Sequence, residues 1–186
     1  MFARTQRLTL RPGWIEDAPE MAAAIGHEQV CAKLALVPFP YTLQDARDYI
    51  ASQQAVASPT LYMFEHRGES VRLIGGIGLH QDEAGDHELG YWLTPDAWGR
   101  GYATEAGHAV VRMARDSLRL KRLVSGHFLD NPASGAVLRK LGFRPTGQVV
   151  MRESRARGHA APCATFELDL CAGDLADDDP RTKMAA

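Results

Sequence analysis

The run Trp98-Gly99-Arg100-Gly101-Tyr102-Ala103-Thr104-Glu105 sets two glycines in a turn between a strand-like and a helix-like segment, a turn suited to holding an anion. Glycine lets the main chain approach a bulky phosphate with no side chain in the way. Consecutive amides at the start of a helix form a concave, partly positive nest. Arg100 adds a counter-charge on this reading. The same residues also fit simple punctuation, with Gly99 and Gly101 only turning the chain and Arg100 solvated. Further along, Ser134 shares a helical face with Leu138 and Leu141, a lone hydroxyl at the amino end of an apolar stripe. Its plainest role is that of a first-turn serine bonded to nearby backbone.

The neighbouring segments must position these residues. His87 to Thr94 alternates, with Leu89, Tyr91 and Leu93 on one face and Glu88, Gly90, Trp92 and Thr94 on the other, so a strand leads into the loop. Ala103, Ala106, Val110, Met113 and Ala114 recur at three- and four-residue steps, so an amphipathic helix leads out to about Leu118. Lys121 to Phe128 reads as the next strand. Asn131 then stands at an N-cap, Pro132 at the first helical position, and Gly142 where a helix takes its left-handed terminator.

Upstream, Arg7 to Arg11 alternates as a first strand ended by Pro12-Gly13, and a helix is predicted from about Ile15 to Ile25 with Glu16 and Asp17 at its positive end. Pro38, Pro40 and Tyr41 make a rigid loop before a helix from Leu43 to Ser52, with Thr42 and Asp45 as a capping-box variant. Leu61 to Glu65 and Val71 to Leu79 read as a hairpin around Arg67-Gly68-Glu69, and a turn at Ala84-Gly85-Asp86 feeds the central strand. Arg152 to His159 reads as a hairpin loop between two closing strands. The order is strand, two or three helices, three strands, helix, strand, helix and two strands, which gives a mixed α/β (α+β) class.

Length and composition narrow the possibilities. A chain of 186 residues fits one globular domain, expected over 1–172, followed by a polar tail at 173–186 that is expected to be disordered. A formal net charge of -2 with no long basic stripe gives no footprint for nucleic acid. No segment reads as a basic membrane-surface helix, no apolar run reaches spanning length, and the amino end lacks an apolar leader core, so a cytoplasmic protein is expected. Cys31, Cys163 and Cys171 are odd in number and widely spaced, which disfavours a disulfide framework and a zinc site; the histidines show no ligand spacing, so no metal is expected. The glycine loop lacks the Gly-Lys-Ser/Thr ending of a Walker loop. It also lacks the third small residue and the later acid of a dinucleotide fingerprint.

Leu89-Gly90-Tyr91-Trp92-Leu93, Trp98 to Ala106, Asn131-Pro132-Ala133-Ser134 and Leu141-Gly142-Phe143, in that order, resemble the GNAT superfamily of acyl-CoA-dependent N-acetyltransferases. The nearest likeness is to its RimJ/RimL branch, whose opening is similar to Arg7-Leu8-Thr9-Leu10-Arg11-Pro12 with Val37-Pro38-Phe39-Pro40-Tyr41 behind it. The resemblance spans roughly residues 5–170. It implies a mixed, mostly antiparallel sheet flanked by helices and splayed between its fourth and fifth strands, with acetyl-CoA in the gap. On this likeness the Trp98 loop, with amides from Gly99, Arg100, Gly101, Tyr102, Ala103 and Thr104, grips the pyrophosphate. The pantetheine arm pairs near Trp92, Leu93 and Thr94, Asn131 lies beside it, and Ser134 lies near the thioester sulfur. Leu138 stands where many relatives carry a tyrosine acid, which makes Ser134 the leading proton donor. Relatives of this kind are often homodimers; nothing in the sequence fixes the subunit number.

The reaction so implied is transfer of an acetyl group to a primary amine, a protein N-terminal α-amine or a small-molecule amine, in a ternary complex. The rival is a non-catalytic acyl-CoA-binding module of the same fold. Aminolysis of a thioester needs the amine freed of its proton, the oxyanion stabilised and the thiolate protonated. A thiol of reference pKa about 8.5 needs only modest help from a hydroxyl such as Ser134. A main-chain amide around Leu93 suits the oxyanion. Glu88, on the face opposite Leu89, is the candidate base, and a solvated strand carboxylate is the alternative. Deprotonating an α-amine at pH 7 costs roughly 1 kcal/mol against roughly 4 to 5 for lysine, so a weak base favours a low-pKa acceptor. Arg139 and Lys140 are placed to meet a 3′-phosphate or to lie solvated, and His127 to relay a proton or to pack within its strand.

Overall fold

Strands with apolar residues on both faces must be covered on both sides, and this chain supplies helices for each. The computed structural model describes residues 2–53, 60–68, 70–81 and 85–171. Within them the strands are β1 (Ala3–Arg4), β2 (Leu8–Pro12), β3 (Leu61–Arg67), β4 (Ser70–Gln81), β5 (His87–Leu93), β6 (Arg122–Phe128), β7 (Arg144–Ser154) and β8 (His159–Asp169). The helices are α1 (Ala18–Ile25), α2 (Glu28–Cys31), α3 (Leu43–Gln53), α4 (Tyr102–Asp116) and α5 (Pro132–Lys140). They form one mixed sheet in the order β1-β2-β3-β4-β5-β6-β8-β7, antiparallel throughout except between β5 and β6.

That parallel junction is where the sheet opens. β4 and β5 pair along the whole of β5, from Gln81↔His87 to Gly75↔Leu93, whereas β5 meets β6 only at Glu88↔Val124. Beyond Leu89, whose carbonyl accepts the Ser125 hydroxyl at 2.8 Å, β5 has no strand beside it on that edge among the described residues. The sheet is therefore splayed where the resemblance implies. The two strands are β5 and β6 rather than fourth and fifth only because the two-residue β1, invisible as a pattern, precedes them.

One face of the sheet packs α4 and α5 through Leu89, Ala106, Val110, Leu138 and Leu141; the other packs α1 and α3 through Met21, Ala46, Ile50, Tyr62 and Leu73. The helix expected from Ile15 begins as a 3-10 turn, Ile15–Asp17, and becomes α-helical only at Ala18. Asp17 is the cause: its carboxylate accepts the Trp14 amide at 2.7 Å and both terminal nitrogens of Arg11 at 2.6 and 2.8 Å, which fixes a tight bend. The capping box at α3 forms in full, with the Thr42 amide donating to Asp45 at 2.8 Å and the Asp45 amide donating to Thr42 at 3.1 Å. The tail at 173–186, and Glu69 and Ala84 of the two expected turns, lie outside the described residues.

Candidate active site

After Leu93 the chain makes a 3-10 turn, Pro95–Ala97, then the glycine loop, and enters α4 at Tyr102. Gly99 and Gly101 take φ of 71° and 81°, left-handed values that favour glycine, and Gly101 is the N-cap of the helix. The Trp98 amide donates back to Pro95 at 3.2 Å and the Glu105 amide to Gly101 at 3.0 Å. Among the described residues, none of the six amides between them, Gly99 to Thr104, is bonded to a protein acceptor. A Cβ added at Gly99 would meet nothing within 4 Å, so there is room at the loop. Free donors, open space and the positive end of a 15-residue helix together fit a pyrophosphate.

The loop is braced from beneath by residues that sequence spacing does not single out. Glu105 accepts the Arg7 amide at 2.9 Å, Arg7 Nε at 2.7 Å and the Thr5 hydroxyl at 2.5 Å. Arg7 also donates to the Arg100 carbonyl at 2.9 Å and lies 4.4 Å above the Tyr102 ring. Burial alone would raise the Glu105 carboxyl, but the bonds from Thr5 and Arg7 hold it below its ordinary value. Tyr102 donates its hydroxyl to buried Glu65, which also pairs with Arg67 at 2.8 Å. Arg100, read as a phosphate counter-charge, points toward Glu65 at 3.6 Å and packs 5.3 Å from the Tyr102 ring.

The open edge of β5 is defined by register. The Thr94 amide donates to the Ile74 carbonyl at 2.8 Å, so Thr94 and, by alternation, Trp92 turn their main-chain groups toward β4. Leu93 and Tyr91 turn theirs toward the gap. Of the three residues expected along the pantetheine edge, Leu93 alone presents main-chain groups there. Its carbonyl is taken by the Trp98 indole Nε1 at 2.9 Å, which leaves its amide. The Trp92 indole instead lies over Gly76, where an added Cβ would be 2.6 Å from Nε1.

The first turn of α5 faces the same gap. Asn131 is the N-cap and Pro132 follows, as the sequence predicts, but with φ −123° and ψ 62° the Asn131 side chain makes no capping bond. Gly142, with φ 90°, follows the C-cap Leu141. The Ser134 hydroxyl is 2.7 Å from the Tyr91 hydroxyl, and the Ser134 carbonyl, 3.0 Å from the same phenol, is a second acceptor within its reach. Burial pushes the Tyr91 phenol up to about 12. The partnership of Tyr91 and Ser134 across the splay was missed in the sequence, where Tyr91 reads only as one of three large residues on a face.

Glu88 lies on the other face of β5, buried, with Arg152 donating to both carboxylate oxygens, one at 3.2 Å and one closer, and His80 at 3.8 Å. The segment Arg152–His159 is thus less of a loop than expected. Arg152 to Ser154 belong to β7, His159 begins β8, and the turn between is anchored by Arg157 on Asp130 at 2.9 and 3.0 Å and on the Ala32 carbonyl at 2.6 Å. His127 packs 5.5 Å from the Phe166 ring and against Gly135. Arg139 lies 5.5 Å from Phe166 at the last turn of α5. Among the described residues no group of three or more His, Cys, Asp or Glu converges as a metal site, and no helix is long and apolar enough to cross a membrane.

Comparison with known proteins agrees with this geometry. Residues 7–144 match the family profile of the acetyltransferase (GNAT) domain. The chain is 32% identical over 154 residues to the uncharacterized N-acetyltransferase YoaA of Bacillus subtilis, covering 77% of this chain and 82% of that one. Among solved structures, RimL, a ribosomal L7/L12 alpha-N-protein acetyltransferase in complex with coenzyme A, superposes with a TM-score of 0.78 at 16% identity, covering 93% of this chain and all of that one. The Microcin C7 self immunity acetyltransferase MccE, in complex with acetyl-CoA and AMP, superposes with a TM-score of 0.74 at 21% identity, over 88% and 93% of the two chains.

Proposed function

The chain belongs to the GNAT family of acetyl-CoA-dependent acetyltransferases, and from that premise we propose that it moves the acetyl group directly to a primary amine of low pKa, a protein N-terminal α-amine foremost. The observation that carries this reading is the row of unbonded amides from Gly99 to Thr104 beside an open strand edge. Acetyl-CoA supplies the acyl group as a thioester. Gly99 to Thr104 hold its pyrophosphate, Asn131 offers a side chain that makes no capping bond beside the pantetheine path, and the Leu93 amide donates to the acyl oxygen as charge develops on it. The Ser134 hydroxyl passes its proton to the departing sulfur while taking one from the attacking nitrogen, so it ends as it began. Glu88 takes the ammonium proton beforehand through lone pairs that Arg152 leaves over.

The choice of acceptor follows from Glu88. Arg152 occupies both of its oxygens, so little accepting capacity is left for an ammonium proton, and the acceptor that asks least of it is an α-amine, whose deprotonation at pH 7 costs less than that of lysine by roughly 3 to 4 kcal/mol. The two faces of β5 also divide the work: Ser134 approaches from the α4/α5 side and Glu88 from the α1/α3 side, as a ternary complex needs.

Calorimetric titration with acetyl-CoA tests the cofactor site, and no binding at millimolar cofactor would reject it. Coenzyme A release is then measured on two peptides, one with a free α-amine and blocked lysines, the other acetylated at its terminus with lysines free. Faster release on the first is expected; equal or faster release on the second overturns the acceptor class. Ser134→Ala is expected to slow release with acetyl-CoA affinity unchanged.

A further inference from the structure

Tyr91 has one hydroxyl proton and two acceptors within reach on the same residue, the Ser134 carbonyl at 3.0 Å and Ser134 Oγ at 2.7 Å. The two arrangements differ in what they leave serine free to do. If the tyrosyl proton goes to the carbonyl, the 2.7 Å contact is a bond only when Ser134 donates to Tyr91, and the serine proton is used there. If it goes to Oγ, the serine proton is free to point into the gap. Tyr91 stands on β5 and Ser134 on α5, so this contact crosses the splay, where β5 has parted from β6.

We propose that Tyr91 is a positioning residue that sets the direction of the Ser134 hydroxyl, and that Ser134 donates to the sulfur of coenzyme A only while Tyr91 donates to Ser134. This rests on the reading of Ser134 as the sulfur's hydrogen-bond donor. Tyr91 suits the task because its phenol, raised by burial, keeps its proton through the range around pH 8.5 in which the thiol titrates. It remains a donor and is not consumed. Its ring lies against the core beneath the gap, so the hydroxyl is aimed by packing rather than by solvent. Two hydroxyls in series also polarise one another, which strengthens the outer bond when the acceptor is an anion.

The test needs no acceptor amine. Coenzyme A and desulfo-coenzyme A are titrated calorimetrically into the full chain between about pH 7 and 9, a span around the thiol's reference value. Wild type, Tyr91→Phe, Ser134→Ala and the double variant are compared. Affinity for coenzyme A should rise with pH relative to the desulfo ligand, as the thiolate forms and accepts the serine proton. Ser134→Ala should remove roughly tenfold of that preference at the alkaline end. Tyr91→Phe should remove a smaller share, and the double variant no more than Ser134→Ala alone.

The other titratable side chains of the flanking elements, Glu88 with Arg152 and His80, His127, and Cys163, are common to all four proteins and cancel. Unchanged desulfo-coenzyme A affinity shows that each variant is folded with its loop intact. If Tyr91→Phe loses nothing, or loses as much in the Ser134→Ala background as in wild type, Tyr91 does not act through Ser134 and the inference is overturned. If wild type and Ser134→Ala have the same pH response, the reading of Ser134 fails, and the inference with it. If neither ligand binds, the cofactor site itself is refuted, a separate result.

Discussion

Arg7 and Glu105, 98 residues apart, are joined by the Arg7 main-chain amide at 2.9 Å and its Nε at 2.7 Å, while the same guanidinium holds the Arg100 carbonyl at 2.9 Å. The first turn of α4 is therefore fastened to the entrance of β2, and the same side chain holds a carbonyl of the glycine loop. On the proposed reading, a pyrophosphate held at this loop is served by a brace from a distant part of the chain. Arg7→Gln should weaken acetyl-CoA binding several-fold in calorimetry while the rate at saturating cofactor is retained. A lowered rate with unchanged affinity would contradict a bracing role.

The same pair gives a pH signature. The Glu105 carboxyl is held below the ordinary 4.5 in the folded protein, so its stabilising contribution is complete above that value and is lost as pH falls through the folded value. Glu105→Gln should be less stable than wild type at neutral pH by about 1 kcal/mol, and the difference in melting temperature should narrow as pH is lowered through the acid range below 4.5. A gap that stays constant to low pH would show that the bonds to Thr5 and Arg7 are not charge-dependent.

Gly101→Val should abolish detectable binding of acetyl-CoA. The backbone there has φ 81°, which a β-branched residue adopts only with strain, and the side chain would project beside Arg7, whose Nη2 lies 3.5 Å from the new Cβ. Gly147→Val is the matched control, because it has the same φ of 81° on β7 with nothing within 4 Å. The control should lose stability but keep cofactor affinity; if both variants bind normally, the loop assignment is wrong.

Glu88→Gln leaves the Arg152 guanidinium beside a neutral partner and should lower stability by about 1 to 3 kcal/mol, a range reduced from that of a fully buried pair because Arg152 is partly exposed. Chemical denaturation measures it. As the proposed base, Glu88 should also give the variant a lower rate on α-amine peptides that recovers as pH is raised and solvent takes over deprotonation. A rate deficit independent of pH would remove Glu88 from proton transfer.

Thr42→Ala should cost about 1 kcal/mol in thermal unfolding through loss of the hydroxyl that accepts the Asp45 amide. Acetyl-CoA affinity should not change, since α3 packs on the sheet face away from α4. Altered affinity would indicate coupling between the two faces.

Much of the site is legible in the residues themselves because it depends on local rules. Alternation from His87 onward gives β5, glycines at 99 and 101 supply left-handed turns at the mouth of α4, Thr42 and Asp45 close a cap within four residues, and Pro132 and Gly142 bracket α5. Each of these is set by backbone sterics or by bonds between near neighbours. The 3-10 start at Ile15 escapes although its bonds are also short-range, because Asp17 reads equally as a first-turn acid until Arg11 and the Trp14 amide are seen to share its carboxylate.

What tertiary structure alone decided are the encounters between distant segments and the side of the strand on which each polar group falls. Spacing cannot predict that Arg7 reaches Glu105, that Arg152 arrives from β7 to occupy Glu88, or that Tyr91 meets Ser134 across the open junction. It also cannot tell which main-chain groups of β5 are free, because that depends on the Thr94–Ile74 bond, hence on register with β4. Local geometry is a property of a few neighbouring residues, whereas these pairings are fixed only when the whole sheet has closed on its core.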